Sequence, residues 1–114
     1  MNLEFRPLSA REMGLLEKLL EPEFEGRDEL RSQLAGITAQ ELHDDGTLKL
    51  RCTSGSPNPT NRLFITEGMC SDADGNDISV LLHADRAGFM CMLEILKYDP
   101  SPIINPPAAK IWIR

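Results

Sequence analysis

Aromatic side chains are scarce in this 114-residue chain, at 5% of positions, and bases are outnumbered, 12 lysines and arginines against 18 aspartates and glutamates. The shortage of bases excludes a class of partners. A domain with a formal charge of −6 repels the phosphate backbone and anionic lipid surfaces, so no nucleic acid and no membrane is expected to bind it. Long hydrophobic runs are lacking too, none approaching the roughly 20 apolar residues that cross a bilayer. The stretch Met1-Asn2-Leu3-Glu4-Phe5-Arg6-Pro7 has neither the basic n-region nor the apolar h-region of a secretory signal. Cysteine is limited to Cys52, Cys70 and Cys91, an odd number with no close pair. That excludes a disulfide scaffold and leads to the expectation of a reducing, cytoplasmic setting.

What is present suffices for one core. A hydrophobic content of 41% in 114 residues supports a single compact domain, 1–114, without a staple. Ser9 opens the clearest helix: Glu12 follows at capping-box spacing, and Leu8 and Met13 occupy the positions of a hydrophobic staple. Met13, Leu15, Leu16, Leu19 and Leu20 form its apolar stripe, and Pro22 forbids continuation, so the helix is expected over about Ala10 to Leu20. A second helix is expected from Arg27 to about Ala35. Gly26 precedes it, Asp28 and Glu29 favour its positive end, Leu30 and Leu34 share a face, and Gly36 ends it.

From Ile37 the period changes to two. Ile37–Leu42 and Thr47–Cys52 flank Asp44-Asp45-Gly46, a hairpin signal, with Leu48, Leu50 and Cys52 alternating with Lys49 and Arg51. Thr53 to Arg62 reads as a loop. Further strands are expected at Leu63–Met69, Ile78–Ala84 and Phe89–Tyr98, the last a central strand covered on both faces because Met90-Cys91-Met92-Leu93 is continuously apolar. The prolines at 100, 102, 106 and 107 leave room only for a short edge strand at Ile111 and Ile113. The fold class is therefore α+β, with two N-terminal helices packed on one face of a five- or six-stranded, mostly antiparallel sheet.

Catalytic and metal signatures are weighed in turn. Asp72, Asp74 and Asn76 alternate like the first ligands of a calcium loop, but Gly75 stands at the fourth position instead of the sixth, and His83 occupies the twelfth, where a bidentate glutamate is required. Zinc would need four ligands from Cys52, Cys70, Cys91, His43 and His83, none of which forms a close couple. No metal and no cofactor is expected. Cys70 with a histidine would make a small thiol-dependent enzyme, yet no flanking motif supplies an oxyanion hole. No catalytic residue is assigned. The remaining signal is acidity at element junctions. Glu21, Glu23, Glu25, Asp28 and Glu29 surround Phe24, an aromatic that serves either as an anchor within a charged rim or as a staple onto the core. Glu67, Asp72, Asp74 and Asp77 form a second group without a base, and Asp44 and Asp45 occupy another turn.

The segments Arg6-Pro7-Leu8-Ser9, Phe24-x-Gly26-Arg27-Asp28-Glu29-Leu30-x-x-Gln33-Leu34, Asp45-Gly46-Thr47-Leu48-x-Leu50 and Leu93-Glu94-Ile95 resemble a family of small bacterial proteins classed as a domain of unknown function. The chain departs from that pattern at Glu25, where the family tends to proline. The resemblance covers most of the chain and implies no activity or site. In size, acidity and lack of catalytic marks the chain is also similar to toxin-immunity proteins. The expected function is accordingly that of an acidic protein-binding domain that neutralises a basic protein partner, such as a toxin nuclease domain, through Glu21, Glu23, Phe24, Glu25, Asp28, Glu29, Glu67, Asp72, Asp74 and Asp77. The alternatives are the thiol enzyme and a ligand-sensing or oligomeric structural domain.

Overall fold

The computed structural model describes residues 4–113. The capping box opens helix α1 (Ala10–Leu19) as expected, with the Glu12 amide donating to Ser9 Oγ at 3.1 Å and the Ser9 amide donating to Glu12 Oε1 at 2.8 Å. Arg6 completes the arrangement. Its guanidinium grips both oxygens of Glu12 at 2.8 and 2.9 Å, and these hydrogen bonds, opposed by burial and helped by the Ser9 amide, lower the Glu12 carboxyl to about 2. Leu15, Leu16, Leu19 and Leu20 are fully buried, and Leu8 and Met13 pack against the same core.

Helix α2 (Arg27–Ser32) is shorter than its apolar spacing predicts. From Gln33 the backbone tightens into i→i−3 bonds, Gln33 to Leu30 and Leu34 to Arg31. The reason lies in the Gln33 side chain, which is completely buried. Its amide nitrogen donates to the carbonyls of Ser56 (2.8 Å) and Gly88 (2.9 Å), and its oxygen accepts the Met90 amide (2.9 Å). One side chain thus ties α2 to the loop after β3 and to the turn before β6. Gly88 stands at φ +92° with backbone atoms of Asn58 2.8 Å from where a Cβ would be, so both its conformation and its surroundings require glycine.

The sheet has seven strands in the order β1-β2-β3-β6-β5-β4-β7, and every pairing among the described residues is antiparallel. The five expected strands are present as β2 (Thr38–Glu41), β3 (Leu48–Arg51), β4 (Phe64–Ser71), β5 (Asp77–Ala84) and β6 (Met90–Lys97). The expected edge strand is β7 (Trp112–Ile113), paired with β4 at Gly68 and Met69. The added one is β1 (Arg6–Pro7), paired with β2. Two residues carry no readable period, which is why β1 escapes sequence reading.

Strand β6 is central in the order, as expected, but covered on one face only. Met90, Leu93 and Ile95 are buried, while Met92 and Glu94 on the other face are half-buried and Leu96 is exposed. A register irregularity near Cys91, opposite His83 and Ala84, makes the apolar run look continuous without a second covering layer. Both helices and the segment after β6 contribute to the same side, where Leu16, Leu30, Val80, Leu82 and Ile111 share one core.

Candidate functional site

Antiparallel strands send alternate turns to opposite ends of the sheet. The β2–β3 turn, the β4–β5 turn and the C-terminal end of β6 therefore share one end, which gathers Asp44, Asp45, Asp72, Asp74, Asp77 and Asp99. Lys97 stands in their midst, with its ammonium 2.9 Å from Asp72, 2.7 Å from Asp74 and 4.0 Å from Asp99. Burial opposes its charge, but the carboxylates prevail and hold it above its ordinary value.

Asp72 has a structural task. Its side chain is wholly buried and accepts the amides of Ala73 (2.7 Å), Ile104 (2.8 Å) and Asn105 (2.8 Å) as well as Lys97. The Ile104 amide, followed by Lys97 and the other amides, outweighs desolvation and keeps the carboxyl far below its usual range. The proline-rich segment after β6 is thereby fastened to the β4–β5 turn. Asp72 faces inward and so corrects the expectation that it meets a partner.

The single charge of Lys97 is shared among Asp72, Asp74 and Asp99, so this end keeps a surplus of negative charge, and Asp44, Asp45 and Asp77 form no ion pair among the described residues. Lys97 draws Asp74 below its ordinary value as well, helped by the Asn76 amide. Two adjoining clefts open here and share Asp44, Asp45 and Ile103. One, of about 390 Å³, runs between Asp99 and Pro102 beside Lys97; the other, of about 400 Å³, reaches Glu41, His43 and Arg11. Arg11 is engaged with the Pro107 carbonyl at 2.8 Å.

The first predicted cluster lies at the opposite end. Gly26 abuts Asn58, whose amide donates to Gly88 in the β5–β6 turn, and the eight residues of β5 place roughly 25 Å between the two ends. Glu23, Asp28 and Glu29 surround a shallow hollow, but bases are interleaved with them. Lys18 pairs with Glu21 at 3.3 Å, Arg27 reaches Asp28 at 3.3 Å and the Glu21 carbonyl at 2.9 Å, and Arg31 lines a neighbouring hollow with Glu21. Glu25 is exposed beside them. Phe24 packs against the core and is therefore the staple, not the anchor. Glu67 belongs to neither end: it accepts the Ser79 hydroxyl at 2.9 Å on the face of the sheet away from the helices. The structure thus brings Asp74 and Asp77 together with Asp44, Asp45 and Asp99, and separates them from Glu21, Glu23, Glu25, Asp28 and Glu29. In the sequence Asp44 and Asp45 stand far from Asp74 and Asp77, and Asp99 carries no local signal. The alternation of hairpin ends is the signal that joins them.

Of the thiols, Cys70 borders the end that gathers Asp74 and Asp77. Burial, then the charges of Asp72 and Asp77, push the Cys70 thiol up, the reverse of what activates a nucleophile. His83 donates to or accepts from Glu94 at 2.9 Å and sits five residues along β5 from the partner of Cys70. Burial pushes Cys52 up to about 11.

A model of a family described as a domain of unknown function, DUF6984, matches residues 5–107. The chain belongs to the DUF6984 family. No curated protein and no solved structure matches the chain. Several residues on which the sequence resemblance rests have structural tasks in this DUF6984 member. Arg6 and Ser9 hold Glu12, Leu30 and Gln33 bind α2 to the sheet, and Asp45 accepts the Thr47 amide at 2.9 Å to shape the hairpin. No helix among the described residues is long and apolar enough to cross a membrane.

Proposed function

We propose that this chain is a protein-binding domain whose acidic end docks a cationic partner, and that the partner is a basic protein such as a toxin nuclease domain that the chain blocks as an immunity protein. The observation that supports this reading is the gathering of Asp44, Asp45 and Asp99 around two clefts whose bases, Lys97 and Arg11, are already engaged, with Asp74 and Asp77 at the same end of the sheet. A surplus of charge of one sign gathered over a concave surface focuses the field, steers a cationic protein during encounter and makes its association rate fall with salt. Arginine or lysine side chains, each with an apolar stem and a charged head, suit clefts lined by aspartates together with Ile103, Pro102 and Pro106. A nuclease groove, built to hold phosphates, presents such side chains in a row.

A labelled arginine-rich peptide followed by fluorescence anisotropy tests the reading. The triple substitution Asp44→Asn, Asp45→Asn and Asp77→Asn is expected to weaken binding about tenfold or more at low salt. The double substitution Glu23→Gln and Glu25→Gln is expected to change it by less than about twofold. Unaltered affinity in the triple variant would overturn the proposal.

A further inference from the structure

Very little closes the β4 side of the sheet. β7 pairs with β4 at Gly68 and Met69, two of the eight residues of that strand. The span that the family model matches, residues 5–107, stops short of β7, and within that span β4 is the edge strand. Among residues 108–113 only Ile111 is buried. Ile113 is half-buried, and Ala108, Ala109, Lys110 and Trp112 are exposed.

Gly68 shows what this edge is shaped to receive. Its φ is not positive, so its conformation does not call for glycine. Space does: a Cβ there would lie 2.6 Å from Ile111 Cδ1 and 3.3 Å from Leu19 Cδ2. A glycine inside a strand weakens it and marks a place where another segment comes close. The Ile111 side chain enters that place and joins the core, and Ile113 packs against the same core. Trp112 alternates with them, opposite Met69 and 62% exposed.

We propose that the outer edge of β4 is a strand-accepting site, that residues 108–113 fill it as a displaceable plug, and that its ligand is an extended segment of another protein carrying a branched apolar side chain for the space beside Gly68. The chain's own Ile111-Trp112-Ile113, seated on the edge, carries the chemistry that such a ligand needs. Main-chain pairing supplies affinity, and alternate apolar side chains supply specificity. Length decides how a foreign strand wins. The tail has the advantage of its tether, which keeps it at high local concentration. But β7 pairs no further along β4 than Gly68, and among the described residues no strand lies outside Phe64–Thr66. A strand that continues past that point gains main-chain pairs that β7 does not make. The inference concerns a different part of the fold from the acidic clefts and stands independently of them.

The test uses the full chain carrying Ile111→Asp, which withdraws the plug, and a fluorescein-labelled peptide with the sequence of residues 108–114, followed by anisotropy. The peptide is expected to bind this variant at least about tenfold more tightly than the wild-type chain, whose tethered tail competes. Adding Gly68→Ala to the Ile111→Asp chain obstructs only an incoming isoleucine, and is expected to weaken binding about tenfold or more. Aspartate at the peptide's first isoleucine is expected to do the same. A probe lengthened by Thr-Val-Thr at its C-terminal end is expected to bind more tightly still and to displace the tail of the wild-type chain. A folded Ile111→Asp chain that does not bind the peptide overturns the proposal, as does binding indifferent to Gly68→Ala. Hydrogen exchange of the wild-type chain keeps the test decisive if Ile111→Asp unfolds. The Trp112 and Ile113 amides are expected to exchange about a hundredfold or more faster than those of β5, and exchange in step with β5 overturns the displaceable plug. A wild-type dimer that Ile111→Asp abolishes would assign the edge to the tail of a second copy and overturn the choice of a foreign strand.

Discussion

Replacing Gln33 by leucine removes one side chain of nearly the same volume and three hydrogen bonds at once. The consequences differ among the three partners. Gly88 O still accepts the Asn58 amide at 2.8 Å, and Ser56 is exposed, so water can serve its carbonyl. The Met90 amide, on a residue that is 1% exposed, has no such recourse. An orphaned buried N–H costs about 1–3 kcal/mol, and each of the other two bonds contributes about 0.5–1.5 kcal/mol net. The sum is on the order of 3 kcal/mol, a large share of the roughly 5–15 kcal/mol that holds a domain of this size. Urea unfolding followed by far-UV circular dichroism measures it directly. The midpoint should fall with the slope unchanged, and the melting temperature should drop by roughly 12 °C. Gln33→Glu supplies a second arm. Its carboxylate would face two carbonyl oxygens, so the variant should be destabilised at neutral pH and partly recover on acidification, when a protonated carboxyl can donate again. A loss below about 1 kcal/mol for Gln33→Leu would refute the view that this side chain is what fastens α2 to the sheet.

Glu12 makes the stability depend on acid. Its carboxyl, 4.5 ordinarily and about 2 in the fold, contributes stability that is fully present above about pH 4.5 and lost as pH falls towards 2, so Glu12→Gln should flatten the acid limb of a stability–pH curve. Ser9→Ala removes the partner of the Glu12 amide and should cost about 1 kcal/mol in urea unfolding. Gly88→Ala and Gly75→Ala should separate clearly. Both glycines have positive φ, but a Cβ meets nothing within 4 Å at Gly75, so only the conformational cost of about 1–2 kcal/mol applies there, whereas the Asn58 backbone makes Gly88→Ala the more damaging change. Asp72→Asn should free the segment after β6, seen as faster hydrogen exchange at the Ile104 and Asn105 amides with β5 amides unaffected.

Local chemistry was legible in the sequence. The capping box at Ser9 and Glu12, the leucine stripe of α1 and the alternation in β3 are decided within a few residues, and each appears where the pattern puts it. What required the whole fold was pairing. β1 is too short to show a period, and β6 reads as covered on both faces because its apolar run does not reveal that the helices share one side. Acid density was legible too, but not its compensation. Asp72 looks like its neighbours Asp74 and Asp77 until the Ile104 and Asn105 amides close over it, and the Glu21–Glu29 cluster shows a single base, Arg27, against five acids until Lys18 and Arg31 arrive from neighbouring turns of the helices. Phe24 had two available readings, and the core contact chose between them.

The central claim, that a cationic partner docks at the end of the sheet bearing the β2–β3 and β4–β5 turns, is tested most directly by titrating the nitrogen-15-labelled chain with an arginine-rich peptide and mapping amide shifts. The account predicts that movement concentrates at Asp44 to Gly46, Asp74 to Asp77 and Asp99 to Ser101, and fades as salt is raised. Shifts confined to Glu23 through Glu29, or spread evenly over the surface, would contradict it.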